Sequence, residues 1–141
     1  MLAENRSFGI DIDGTITRFP VFFSQFTSAC VAQGILVHIE TSRSNEGRLE
    51  TVKELNQLGI RYNWLHMLAP ISEAQVLCPH TDLDWYAKHC WLKVDYALRN
   101  SITHFIDDDL RVLNMFSRFS TTIIVSEPVD FVKKRGYLYN D

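Results

Sequence analysis

Asp11-Ile12-Asp13-Gly14-Thr15 follows directly on the short apolar run Phe8-Gly9-Ile10. A buried strand that ends in two carboxylates one residue apart, then a Gly-Thr turn, lets the acids converge above the sheet edge. Converged carboxylates repel each other unless a cation lies between them, and an all-oxygen donor set suits Mg²⁺. Asp-Gly is also an ordinary hairpin signal, so this segment alone has two readings. Phe105-Ile106-Asp107-Asp108-Asp109 decides between them. Three consecutive acids after an apolar strand are costly to hold without a cation. An acidic N-cap for the next helix accounts for one, most naturally Asp109. Asp107 and Asp108 need the cation.

A third segment, Ile39-Glu40-Thr41-Ser42-Arg43-Ser44, ends another apolar run. Its hydroxyls and backbone N–H groups could hold phosphate oxygens, or Thr41 or Ser42 could cap the following helix. Phosphate beside carboxylates also needs a basic side chain. Lys93 and Lys88 lie 14 and 19 residues before Asp107. A helix leading into a parallel strand starts at the edge where that strand ends, so either lysine can reach the acids. Each also fits a solvated helix face.

The elements that must position these residues alternate strand and helix, which predicts an α/β domain with a mostly parallel sheet. The predicted strands are Ser7–Asp11, Leu36–Thr41, Tyr62–Met67, Thr103–Asp107 and Thr121–Val125. An aromatic stretch with Phe19, Phe22, Phe23 and Phe26 leads a helix to about Gln33, closed by Gly34. Arg48–Leu58 reads as an amphipathic helix with Leu49, Val52, Leu55 and Leu58 on one face, stopped by Gly59. Leu68–Asp82 carries Pro70 and Pro79 and reads as irregular. Helices follow over much of Asp84–Asn100 and over Leu110–Phe116, with a last one at Val129–Lys134 before a loose polar tail. Ligands of open parallel sheets bind at the carboxyl ends of the strands, and Asp11, Asp13, Thr41, Asp107 and Asp108 all fall there.

On these residues the chain resembles the haloacid dehalogenase superfamily of phosphotransferases. Asp11-Ile12-Asp13-Gly14-Thr15 looks like its D-x-D-G-T motif, Thr41 like its second-motif hydroxyl, and a lysine ahead of strand four like its third. Phe105-Ile106-Asp107-Asp108 is similar to its fourth motif, and the four come in the family's order. The spacing from Lys93 to Asp108 looks like members with a short helix after the lysine, which favours Lys93 over Lys88. The resemblance implies a three-layer Rossmann-like fold of about five strands and a Mg²⁺-dependent phosphomonoester hydrolase. Asp11 would attack phosphorus to form an aspartyl phosphate, and Asp13 would serve as general acid and then base. Mg²⁺ would take the Asp11 carboxylate, the Asp13 carbonyl and Asp108, with Asp107 close behind. Thr41, Ser42 and Lys93 would hold phosphoryl oxygens. Family dehalogenases lack the second aspartate, and phosphatases have it. Ser42 departs from the glycine that many relatives carry before the arginine. Thr51–Leu58, Gly59-Ile60, Tyr62 and His66-Met67 are similar to small nucleotidases and polynucleotide phosphatases of the superfamily. A nucleotide or oligonucleotide phosphate is therefore a candidate substrate beside a phosphorylated small molecule.

Length and spacing leave little room for a cap. Twenty-nine residues separate Asp11 from Thr41 and 51 separate Thr41 from Lys93, mostly used by predicted elements. A single capless domain over 1–141 is expected, with Phe19–Phe26 as helix core or as a flap. An open site invites a large substrate or a lid from a second copy, hence a homo-oligomer. Trp64, Trp85 and Trp91 are expected in the core. At 141 residues, 46% hydrophobic and net charge −3, the chain suits a globular domain with no footprint of nonspecific nucleic-acid binding. No apolar run reaches the length of a membrane span, and Met1–Arg6 lacks a signal peptide's apolar region, so the expected location is cytoplasmic. Cys30, Cys78 and Cys90 are expected as buried free thiols. Three other classes remain, the weakest of them a mononuclear Mg²⁺ nuclease. A receiver-like phospho-acceptor domain uses similar residues, but its lysine comes last rather than before the second acidic group. A catalytically weak binding or regulatory module would be favoured by loss of Asp11 or Asp13, and both are present.

Overall fold

The computed structural model describes residues 6–68 and 71–129. Strands β1 (Ser7–Ile10), β2 (Leu36–Ser44), β3 (Trp64–Leu68), β4 (His104–Asp109) and β5 (Thr122–Val129) form one sheet, ordered β3-β2-β1-β4-β5. Every neighbouring pair is parallel, so a crossover must separate consecutive strands. The crossovers use α1 (Pro20–Ala32), α2 (Arg48–Gln57), α3 (Ile71–Leu77), α4 (Trp85–Arg99) and α5 (Leu110–Met115). The chain builds outward from β1 to β3, then returns to place β4 on the other side of β1. That reversal makes a switch point between β1 and β4, where ligand sites form in such sheets.

Side chains alternate across the sheet and give it two apolar layers. Ile10, Val37, Ile39 and Ile106 pack with Phe23 and Cys30 of α1 and Leu55 of α2. Phe105 faces the other way, into a cluster with Val94 and Ala97 of α4 and Val112 and Leu113 of α5. The fold is thus three-layered α/β and Rossmann-like. Among the described residues all strands join one sheet, and no separate cap domain is present.

Several expectations change in detail. The segment read as irregular holds α3, because Glu73, Ala74, Gln75 and Leu77 are good helix formers. Position 70, a proline, lies outside the described residues. β2 runs on to Ser44, with a register irregularity between Thr41 and Ser44. β4 runs on to Asp109 and β5 to Val129, so Val129 ends a strand rather than starting a helix. The rest of the predicted last helix, the tail and Met1–Asn5 lie outside the described residues. Leu49 is 82% exposed and off the core face of α2. Residues spaced strictly by three fall about 60° short of a full turn each time, so such a row winds off one face. Thr51 and Leu55 are the buried pair instead. Trp64 and Trp85 are exposed rather than core, the first on the edge strand stacked on His38, the second at the start of α4. The aromatic stretch divides: Phe23 is core, whereas Phe22 is 59% exposed and Phe19 is also exposed. The three cysteines are free and buried.

Candidate active site

Asp11 is held where β1 ends. Its N–H donates to the Ile106 carbonyl at 3.0 Å, which extends the β1–β4 pairing by one residue. The chain then turns tightly through Ile12–Ile16. Gly14 has φ +87, a left-handed conformation that glycine adopts at little cost. The Gly14 N–H donates to Thr17 Oγ1 at 3.0 Å and fixes the turn. It brings Thr15 back under the strand end, where its buried hydroxyl donates to Asp11 Oδ2 at 3.2 Å.

β4 delivers its acids beside Asp11. Carboxylate oxygens of Asp11, Asp107 and Asp108, all three buried, lie within 4.8 Å of one another. Lys93 reaches them from α4, with Nζ donating to Asp11 Oδ1 at 2.8 Å and to Asp107 Oδ2 at 2.9 Å. Lys88 is half-buried on the same helix, outside this pair of contacts. The helix start is set by Asp84, whose carboxylate accepts the Ala87 N–H at 2.8 Å. Asp109 is the expected N-cap of α5, accepting the Arg111 N–H at 2.9 Å. The Tyr86 hydroxyl also donates to Asp109, tying α4 to the end of β4.

Burial dominates the electrostatics. It pushes the Asp11 carboxyl well up, with Asp107 adding to the rise and Lys93 opposing it. Asp107 is raised for the same first reason and is likewise opposed by Lys93. Burial alone would lower Lys93, but Asp107 and Asp11 outweigh it and hold the ammonium charged. Three buried carboxyl groups, with Lys93 bonded to two of them, gather in a small space. The donors are oxygens only, the set that a hard divalent cation such as Mg²⁺ prefers.

Asp13 points elsewhere. Its two oxygens accept from Arg43 Nε and Nη2 at 2.9 and 2.8 Å, a bidentate pair. Arg43 is itself clamped on α2, donating to Glu54 at 2.7 Å and to Thr51 at 3.3 Å. These contacts, Asp13 first, raise the already high pKa of the guanidinium. The Asp13 carboxylate is outside the Asp11, Asp107 and Asp108 group. Thr41 is fully buried at its strand end, and its hydroxyl accepts the Arg43 N–H at 3.1 Å. Ser42, the next residue, is exposed.

Three residues of this region escaped the sequence reading. Thr15 enters the sequence reading only as a member of the turn and of the D-x-D-G-T motif, with no role of its own. Arg43 gave no signal by itself, because its partner Asp13 lies 30 positions away. Glu40 did carry a signal, a charge inside the otherwise buried run 37–41. It is 0% exposed, and among the described residues neither carboxylate oxygen has a hydrogen-bond partner. Burial pushes its pKa well up, while Lys93 is the charge that opposes the rise.

The architecture is the three-layer Rossmann-like fold that the sequence resemblance implies. Among solved structures the chain is similar to one in the Pnkp1/Rnl/Hen1 RNA repair complex, with TM-score 0.65 and 19% identity. That match covers 89% of this chain and 43% of the other. A second structure of the Pnkp1/Rnl/Hen1 complex matches with TM-score 0.65, 18% identity and coverage of 93% and 49%. The hypothetical protein XCC2798 from Xanthomonas campestris matches with TM-score 0.51, 16% identity and coverage of 94% and 71%. The chain therefore spans less than half the length of the two repair-complex chains that it matches. No protein family and no curated protein sequence matches it.

Proposed function

We propose that this chain is a Mg²⁺-dependent phosphomonoester hydrolase that works through an aspartyl phosphate on Asp11. The observation that carries the reading is the buried Lys93 ammonium bridging Asp11 and Asp107 at 2.8 and 2.9 Å, with Asp108 alongside. A structural ion pair needs one acid. Here a third lies in reach, at the switch point of a parallel sheet.

The Asp11 carboxylate, the Asp13 carbonyl, Asp108 and Asp107 would hold Mg²⁺. When bound, it offsets the carboxylate charge and polarises the phosphoryl group. Asp11 is the nucleophile, and Thr15 orients it through the 3.2 Å hydrogen bond. Asp13 rests as a carboxylate in the Arg43 pair; once it leaves that pair and takes up a proton, it protonates the leaving oxygen and then takes a proton from water. Thr41, Ser42 and Lys93 bind the phosphoryl oxygens as charge develops on them. The substrate is a nucleotide or a phosphorylated oligonucleotide end. That choice is supported by the resemblance of residues 51–67 to small nucleotidases and polynucleotide phosphatases, and by the fold likeness to the repair-complex chains.

Asp11→Asn tests the mechanism, because it keeps the shape and removes the attacking charge. Activity on an aryl phosphate in Mg²⁺ is expected to fall by about four orders of magnitude, with the melting temperature kept or raised. A variant that retains a tenth of wild-type activity rules out the aspartyl phosphate.

A further inference from the structure

Between α1 and β5 runs a groove that no step of the proposed reaction uses. The β4–β5 register pairs Ile106 with Ile124, which places both on the face of the sheet that α1 packs against. Phe23 of α1 joins the core there, whereas Phe22 beside it is exposed, as are Ile124 and Val125 of β5. The space left between helix and strand is about 480 Å³. Phe19, Phe22 and Phe26 line its helix side and Ile124 its strand side, and Phe8, stacked on His104 at 4.9 Å, lies at its floor.

The lining sets the chemistry of an occupant. Among the described residues it carries no acid, lysine or arginine, and its polar side chains are His104 and Ser126. His104 Nδ1 already shares a hydrogen bond of 2.8 Å with the Thr103 hydroxyl. A charged group would give up its hydration here for no partner, so a phosphate stays outside and an uncharged group enters. Phenylalanine rings favour planar aromatic partners through stacking. Position then decides which group. The Ser126 hydroxyl is 3.1 Å from that of Thr15, which donates to Asp11 Oδ2 at 3.2 Å. The groove thus comes within two hydrogen bonds of the nucleophile, a gap that one sugar ring bridges. A second cavity, of about 560 Å³ between β3, α3 and α4, fits less well. Glu46, Glu73 and Asp95 line it, and carboxylates repel the phosphate of an approaching ester.

We propose that the α1–β5 groove is a nucleobase subsite: the base of the nucleoside that carries the scissile phosphate lies between Phe22 and Ile124, with its sugar at Ser126. The inference rests on the phosphatase reading and assigns the uncharged end of the substrate. Recognition is by ring face. The walls present almost no donors or acceptors to a base edge, so purines outrank pyrimidines through their larger faces, and adenine and guanine differ little.

Two variants and two probes test it. Phe22→Ala removes an exposed stacking face, and Ile124→Trp fills the groove from the strand side. The first probe is adenosine monophosphate, 3′ or 5′, whichever the wild type hydrolyses faster. Its kcat/KM relative to that of ribose 5-phosphate is expected to fall about tenfold or more in each variant. The second probe is adenosine, which has no phosphate and needs no turnover. Saturation-transfer NMR should detect it on the wild type, with the base protons in closest contact, and on neither variant. Should Ile124→Trp fail to fold, the exposed Phe22 position carries both readouts alone. A relative kcat/KM that neither variant moves overturns the subsite, as does adenosine binding that survives both substitutions. So does a wild type that binds no adenosine while Phe22→Ala melts several degrees lower, for the groove is then filled by another part of the chain or by a second copy. If the wild type hydrolyses no phosphate ester, the proposed function fails, and adenosine binding still decides whether the groove takes a base.

Discussion

Lys93 does at the residue scale what the linear chain only suggests: one ammonium satisfies carboxylates from two strands. A lysine at that place makes a charge-assisted contact that strengthens as the phosphoryl group gains negative charge. Lys93→Ala is therefore expected to lower kcat by about 10²-fold or more, and Lys88→Ala to change it little. Steady-state kinetics on one substrate ranks the two, and the reverse ranking moves the phosphate site along α4. Lys93 was legible through the resemblance, whose spacing to Asp108 favours it, since the placement of the helix start admits Lys88 equally. Asp11, Asp107 and Asp108 were legible because acids at strand ends have few other uses. The Arg43–Asp13 pair was not, since nothing local to either residue points across 30 positions to the other. Glu40 did show as an acid inside its strand, but the apolar neighbours Val37 and Ile39 set the pattern by which the segment was read.

Elements aim these side chains, and α4 matters most because it carries Lys93. Its first turn depends on Asp84, whose carboxylate accepts the Ala87 N–H and pairs with Arg111 at 2.9 Å. The Ala87 hydrogen bond, with Arg111 assisting, holds the Asp84 pKa below the usual carboxylate range. A depressed acid adds stability above its unfolded pKa, about 3.9, and that stability is lost as pH falls through the folded value. Asp84→Ala should thus lower the melting temperature by about 3 °C near neutral pH, as expected for a lost N-cap of about 1 kcal/mol. The gap between wild type and variant should close as pH drops below about 4. Thermal melts from pH 7 to pH 3 check the sign, and a gap that widens in acid contradicts it. Element boundaries were legible where caps mark them, as at Asp84, Asp109 and Gly34. They were not where tertiary pairing extends a strand: β2 passes Thr41 to Ser44 because β3 offers Leu68 as a partner. For α3 the prolines nearby outweighed good helix formers in the reading.

Across the whole molecule, the open rim of the sheet is where a metal and a substrate would meet under the proposed function. Asp11, Asp107 and Asp108 gather buried carboxyl groups at the switch point, and a cation that binds them only in the folded state must stabilise it by mass action. Addition of millimolar Mg²⁺ is expected to raise the melting temperature, and Asp108→Ala to abolish that rise. A wild-type chain with no Mg²⁺-dependent shift refutes the metal site.

The same openness bears on what the chain can turn over. No cap domain is present among the described residues, so nothing in them closes over Asp11 once substrate is bound. Catalysis then needs orientation from contacts remote from the phosphate, because remote binding energy is what aligns the reacting atoms and displaces water. A small ester offers few such contacts, whereas an oligonucleotide end can lie along the rim from β3 to β5. The exposed Phe19, just before α1, and Phe22 on α1 follow the Ile12–Ile16 turn in sequence and would give bases an apolar surface there. A 3′-phosphorylated oligonucleotide should accordingly exceed ribose 5-phosphate in kcat/KM by about 10²-fold or more, with much of the difference in kcat. Parallel assays on the two substrates at one enzyme concentration decide it. Equal values would mean that orientation comes from the phosphate pocket alone, and the large-substrate reading would fall while the Asp11 chemistry stood.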